Sequence, residues 1–318
     1  LFAGRKLSFY GDKIAEVTGL GKAWIGLILM ASVTSLPELM VGFSSSAIVK
    51  SADLAVGDIF GSCAFNLCIL AMMDAFVSGK KSLLGNASQS HIFSAALGLI
   101  LIAMAGLGLY LPDDIVITSG IGITSFSFMI IYLFSIRLIY NYNIKTLPSE
   151  KETNEELTSE NITKKKIYSM YSVYALIIII SALFLPFFAE EIAIQTGLGK
   201  SFVGTMFLAI STSLPEIAVS IAAIRTGSFD LAIGNLLGSN IFNIFILFLD
   251  DLFYTDGSIL KHASDSNIIS AFSVIMMSAV AIIGVTYKLK GKKYFLAWDS
   301  LIIFLIYILN VILLYNYS

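Results

Sequence analysis

The sequence predicts an all-α polytopic membrane protein built from two inverted-topology repeats, and three observations carry that expectation. Of its 318 residues, 57% are hydrophobic and 13% charged, with a mean hydropathy of +0.86, against about 45–50% apolar and about 25% charged in soluble domains. The apolar residues gather in stretches of about 20, the length of helix that crosses a bilayer. Three sequence blocks of the first half recur in the second. Twenty Lys and Arg against twenty-two Asp and Glu leave a net charge of −2, so no basic field exists to hold nucleic acid. Cys63 and Cys68 lie in an apolar stretch at a spacing unlike a C-x-x-C metal or redox motif, and two cysteines make no disulfide framework.

Nine candidate spans follow in order: 23–48 (interrupted), 54–76, 92–112, 115–135, 168–188, 202–224, 231–249, 267–286 and 295–315. Each is helical by default, because a backbone facing lipid must satisfy its own hydrogen bonds. Runs such as YALIIIISALFL are apolar on every face, which excludes the alternating segments of a transmembrane barrel. The chain starts at Leu1 rather than at a methionine, which predicts further residues upstream.

One segment is strongly polar, Lys145 to Lys166, whose five lysines and five glutamates cancel. It reads as a solvated linker and divides the chain into a first repeat at 1–137, a linker at 138–167 and a second repeat at 168–318. With the linker placed in the cytoplasm, Lys80, Lys81, Arg137, the linker lysines, Arg225 and the run from Lys288 to Lys293 fall inside, and only Lys50, Lys200 and Lys261 outside. The positive-inside rule demands that orientation.

The repeat is explicit. TGLGK at Thr18 recurs at Thr196, ASVTSLPEL from Ala31 recurs as AISTSLPEI from Ala209, and DLAVGDIFGSCAFN from Asp53 recurs as DLAIGNLLGSNIFN from Asp230, at offsets of 178, 178 and 177 residues. Between the span holding Glu38 and the span holding Glu216 the chain crosses the membrane five times, so the two copies run in opposite directions. Inverted repeats with interrupted helices are an architecture of secondary transporters, whose ion sites lie near the midplane where the copies meet.

The repeated residues suit hard cations. Pro37 and Pro215 lack an N–H and push away the carbonyl four residues earlier, which releases oxygens around Val33 and Thr34 in one copy and Ser211 and Thr212 in the other. One turn on from each threonine, the chain supplies a carboxylate, Glu38 or Glu216. A charge at the bilayer centre costs from about 2.5 to over 10 kcal/mol, and two glutamates brought together also repel unless a cation lies between them. Carboxylates, carbonyls and hydroxyls without a His or thiol cluster favour Ca²⁺ or Na⁺ over zinc or copper. Ser62 and Asn66, and their counterparts Ser239 and Asn243, present a hydroxyl and an amide on one helical face. Gly57, Gly61, Gly234 and Gly238 allow close helix approach.

These blocks resemble the alpha repeats of the Ca²⁺/cation antiporter superfamily, in its prokaryotic sodium/calcium exchanger type; the alpha-1 motif is at 31–66 and the alpha-2 motif at 209–243. The resemblance implies a ten-helix fold with discontinuous helices at the central site, in which Na⁺ is exchanged for Ca²⁺ by alternating access. The transported ions are Ca²⁺ and Na⁺, with no organic cofactor and no partner beyond the lipid bilayer and inorganic cations. By motif position, Glu38 and Glu216 are the carboxylates shared by both ions, and Thr34 and Thr212 offer carbonyls to calcium. Ala31 and Ala209 offer carbonyls to sodium, Ser35, Ser62, Ser213 and Ser239 offer it hydroxyls, and Asn66 and Asn243 occupy the remaining central positions. Four departures stand out. Val33 and Ser211 replace a common glycine, Asn243 stands where aspartate is common, and Asp58 replaces the asparagine still present as Asn235. The first helix, expected before Tyr10-Gly11-Asp12, shows only its end.

Other features read as supporting ones. His91 and His262, at the starts of the third and eighth spans, read as interfacial, and Asp299 as a span-start carboxylate with a proton-relay role as the alternative. The sequons at Asn86 and Asn161 carry little weight, since the second falls in the linker. No Ser/His/Asp set marks a hydrolase, and no enzymatic activity is expected. The expected setting is the plasma membrane. The rival functions are an H⁺/Ca²⁺ or other cation exchanger, motivated by Asn243, and a non-transporting ion-binding membrane protein, motivated by the shortened first helix.

Overall fold

The structure, a computed structural model, describes residues 2–18, 25–77, 82–111, 116–118, 121–146, 163–182, 185–288 and 296–317. Most of the polar linker, the Asn161 sequon and most of the first TGLGK block lie outside the described residues. Twelve helical elements are named here: α1 (Phe2–Thr18), α2 (Ile25–Val49), α3 (Ala52–Phe76), α4 (Ser90–Tyr110), α5 (Ile123–Thr146), α6 (Lys164–Ala182), α7 (Leu185–Thr196), α8 (Lys200–Thr212), α9 (Leu214–Arg225), α10 (Phe229–Phe253), α11 (Asn267–Tyr287) and α12 (Trp298–Tyr317). Among the described residues seven helices are long and apolar enough to cross a membrane, and α8 with α9 forms an eighth span bent by 43°.

Burial sorts these helices into layers. The apolar windows of α3 and α10 are 94% and 83% buried, whereas those of α5 and α12 are 28% and 33% buried. The repeated block DLA(V/I)G therefore forms the two central helices, and α5 and α12 turn Ile130, Leu133, Leu309 and Ile312 outward, as lipid contact requires. Central position demands small residues. A Cβ on Gly61 of α3 would lie 2.5 Å from the Thr205 carbonyl oxygen, and one on Gly238 of α10 would lie 2.1 Å from that of Leu27. Leu27 and Thr205 are themselves 178 residues apart, so the same close crossing is built twice.

Buried aspartates tie the helix ends by the same symmetry. Asp74 accepts the N–H of Leu83 and of Ala297, each at 2.7 Å, and its counterpart Asp251 accepts those of Ile259 at 2.6 Å and Gly122 at 3.1 Å. Asp53 accepts the Ser264 N–H and Asp230 that of Ser88. These ties, with the Lys50–Asp256 ion pair at 3.5 Å, fix which helix ends share a face: α2 and α10 finish, and α3 and α8 begin, at the end of the bundle opposite the linker. Substituting Asp251→Ala leaves two backbone N–H groups without their acceptor, an expected loss of about 2–3 kcal/mol that thermal unfolding of the purified protein measures.

Two sequence expectations need correction. The fourth span begins at Ile123 rather than 115 and runs to Thr146; Val116–Thr118 and Ile121–Gly122 form a small antiparallel hairpin. β-Branched residues there favour extended backbone, and Asp251 takes the Gly122 N–H. Helix α1 does not end before Tyr10-Gly11-Asp12 but runs through it to Thr18, with Tyr10 stacked on Tyr174 of α6 at 6.0 Å. His91, in the first turn of α4, is 1% exposed, and its Nε2 meets Asp230 at 2.9 Å.

Candidate functional site

The two copies of T-S-L-P-E break their helices in the same way. Ser35 (φ −88°, ψ 8°) and Ser213 (φ −81°, ψ 6°) leave the helical region, entering the sparsely populated bridge where active-site residues collect. After each break a new helical segment opens with proline in its first turn, followed by Glu38 or Glu216. The helix N-terminus thus faces a carboxylate, the favourable end of its dipole. Before the breaks, Ile25–Met30 and Gly204–Leu208 are wound as π-helix, a form common at functional sites.

Both glutamates are fully buried, and the repeats bind them crosswise. The Ser35 hydroxyl donates to Glu216 Oε1 at 3.4 Å, and the Ser213 hydroxyl donates to Glu38 Oε1 at the same distance. Ser239 donates to Glu216 Oε1 at 3.3 Å, and Ser62, its counterpart, lies against Glu38. The threonines extend the network. Thr34 donates to Asn235 Oδ1 at 3.1 Å and lies 3.5 Å from the Ser239 hydroxyl; Thr212 donates to Asp58 Oδ1 at 3.2 Å and lies 3.2 Å from that of Ser62. Each glutamate of one half is therefore held by a serine of the other.

The structure gathers Glu38, Glu216, Thr34, Thr212, Ser35, Ser213, Ser62, Ser239 and Asp58 into this network. The Ala31 carbonyl accepts the Ser35 N–H at 2.9 Å and that of Ala209 accepts the Ser213 N–H at 3.0 Å, so both oxygens end the helical ladder beside the breaks. Asn66 donates to Asn240 Oδ1 at 3.1 Å, and Asn240 donates to the Cys63 carbonyl. Asn243 is buried one turn beyond Ser239. Asn235 and Asn240 had not been singled out as site residues; the first is recognisable as the repeat counterpart of Asp58 and the second lies inside the repeated block.

The donor set fits a hard cation as cargo. Glu38 Oε2 and Glu216 Oε2 are buried without a hydrogen-bond partner, which a protein interior tolerates only with compensation. Among the described residues no group of three or more His, Cys, Asp or Glu could hold a metal. The buried carboxylates Glu38, Glu216 and Asp58 stand among neutral hydroxyl and carbonyl oxygens, a composition of oxygen donors that suits Ca²⁺ or Na⁺.

Comparison with known proteins agrees. The family model for sodium/calcium exchanger protein matches residues 2–137 and 167–316. Relatives include the sodium/calcium exchanger MaX1 of Methanosarcina acetivorans, 27% identical over 95% of this chain and 91% of its own. The putative antiporter CaxA of Alkalimonas amylolytica is 30% identical over 77% of this chain and 74% of its own. The solved structure of the sodium-calcium exchanger NCX_Mj soaked with Na⁺ and Sr²⁺ shares the fold, with a TM-score of 0.70 at 19% identity over 98% of this chain and 93% of its own. The chain belongs to the sodium/calcium exchanger protein family.

Proposed function

We propose that the protein is a secondary active transporter that exchanges Na⁺ for Ca²⁺ by alternating access. The observation that carries this reading is the crossed cradle, in which each half of the inverted repeat supplies one glutamate and the serine that binds the other. Two carboxylates are neutralised by one Ca²⁺ or by two Na⁺, so the ions compete for the same negative charge. An empty pair repels itself in a medium of low dielectric, and moving it between faces uncompensated is disfavoured; that penalty couples the two fluxes. The relatives named as exchangers support the reading. We read 1–137 and 168–318 as the two repeats, with the 138–167 linker cytoplasmic and the chain in the plasma membrane. Thr34 and Thr212, Ala31 and Ala209, and Ser35, Ser62, Ser213 and Ser239 are the neutral donors proposed around the glutamates, with Asn66, Asn243 and Asp58 at the margins.

In proteoliposomes loaded with Na⁺ and diluted into Na⁺-free buffer, ⁴⁵Ca²⁺ uptake is expected, and its absence in the purified wild type would refute exchange. Proton coupling is the second reading, because Asn243 adds no charge to the centre. Uptake driven by a pH gradient without Na⁺ would favour it; Na⁺-driven uptake unaffected by that gradient is the result expected here.

A further inference from the structure

Helix α10 carries two adjacent acids near its C-terminal end, and the fold treats them oppositely. Asp251 accepts two backbone N–H groups. Asp250 is fully buried, and neither of its carboxylate oxygens has a hydrogen-bond partner. Its carboxylate lies over Gly42 of α2, where a Cβ would come within 2.2 Å of Oδ1 and 2.5 Å of Oδ2. Just beyond, in the π-helical stretch Ser44–Val49 that packs against α10, Ser44 and Ser45 are also fully buried with unpartnered hydroxyls. The Asp250 carboxylate and both hydroxyls thus lack partners, and of the two serines Ser45, three residues after Gly42, shares the helical face that Asp250 covers.

Their placement points toward the central pair. Gly42 and Ser45 follow Glu38 by four and seven residues on α2, and Asp250 follows Asn243 by seven on α10, spacings that keep one helical face. Asp58 on α3 is within electrostatic reach of both Glu38 and Asp250. The other half of the molecule has no such set: the repeat counterparts of Gly42, Ser44 and Ser45 are Ser220, Ala222 and Ala223, and that of Asp250 is Met73. The repeat position of Asp250 in the other half therefore carries no charge.

A carboxylate so buried is neutralised either by a proton or by a bound cation, and the unpartnered hydroxyl beside it offers a cation a further oxygen. One negative charge with a neutral hydroxyl matches a monovalent ion; a divalent ion would leave a net positive charge in a medium of low dielectric. We propose that Asp250, with the hydroxyl of Ser45, forms a second cation station, separate from the Glu38–Glu216 pair, that takes Na⁺ on the approach from the end opposite the linker. The station deepens the exchange reading by giving that approach its own ion-binding step, and it is tested by binding rather than by transport.

Saturable ²²Na⁺ binding is measured on the purified full chain in detergent as wild type, Glu38→Gln/Glu216→Gln, and the same double variant with Asp250→Asn added. The double variant is expected to retain saturable Na⁺ binding, and Asp250→Asn to remove it. Ser45→Ala in the double-variant background, a milder change, is expected to weaken that binding several-fold. Absence of saturable binding in the double variant, or binding that survives Asp250→Asn unchanged, overturns the proposal. Binding retained in the double variant and lost with Asp250→Asn, in a protein whose wild type fails to exchange, would defeat the transport reading and leave the station standing.

Discussion

Glu38→Gln and Glu216→Gln are each expected to abolish Na⁺-driven Ca²⁺ uptake while the protein remains folded. Removing one partner of a buried charge pair costs about 3–5 kcal/mol, and each 1.4 kcal/mol is about tenfold in affinity, so Ca²⁺ affinity should fall at least about 100-fold. Stability should move the other way. In ion-free solution both carboxylates carry an unpartnered buried oxygen, and an amide in place of one of them relieves the repulsion between Glu38 and Glu216. Thermal unfolding in chelator should therefore occur at the same or a higher temperature in either variant. Uptake that persists in both variants would remove the glutamates from the transport path.

Gly238→Ala should disable the protein by a different route. The added methyl would lie 2.1 Å from the Leu27 carbonyl oxygen and 2.8 Å from the Ala31 Cβ, and neither is the end of a flexible side chain. Helix α10 must then move away from α2, at a cost of about 1–3 kcal/mol or more. The next residue, Ser239, holds Glu216, so the same shift opens the cradle and uptake should be lost together with stability. Gly98→Ala is the matched control, since its nearest contact is Ile241 at 3.5 Å, an ordinary van der Waals distance. Thermal unfolding and ⁴⁵Ca²⁺ uptake of the pair check both statements; equal behaviour of the two variants would contradict them.

Much of this was legible in the sequence because the chain states its site twice. Duplication of T-S-L-P-E marks Glu38 and Glu216, and an odd number of crossings between them implies that the two copies oppose one another. Proline at 37 and 215 places both helix breaks to within two residues of Ser35 and Ser213. The partners that cross between halves were less visible, since nothing in the spacing says that Ser35 serves Glu216 rather than Glu38; that follows only from how α2 packs against α9 and α10. The hairpin before α5 was hidden because a hydropathy window does not distinguish extended from helical backbone in a short apolar run. Nothing in the spacing pairs His91 with Asp230, 139 residues away in sequence. Asp250 escaped notice for the opposite reason: it sits beside Asp251 at the end of an apolar run, and only the third dimension separates an acid that ties a loop from an acid with nothing to bind.

Anomalous diffraction from crystals soaked in Sr²⁺ as a stand-in for Ca²⁺ tests the central relation most directly. A single strong peak is expected between Glu38 and Glu216, at about 2.3–2.6 Å from an oxygen of each, and lost on soaking in excess Na⁺. A peak bound to one glutamate alone, or to neither, would contradict the shared site on which the exchange mechanism depends.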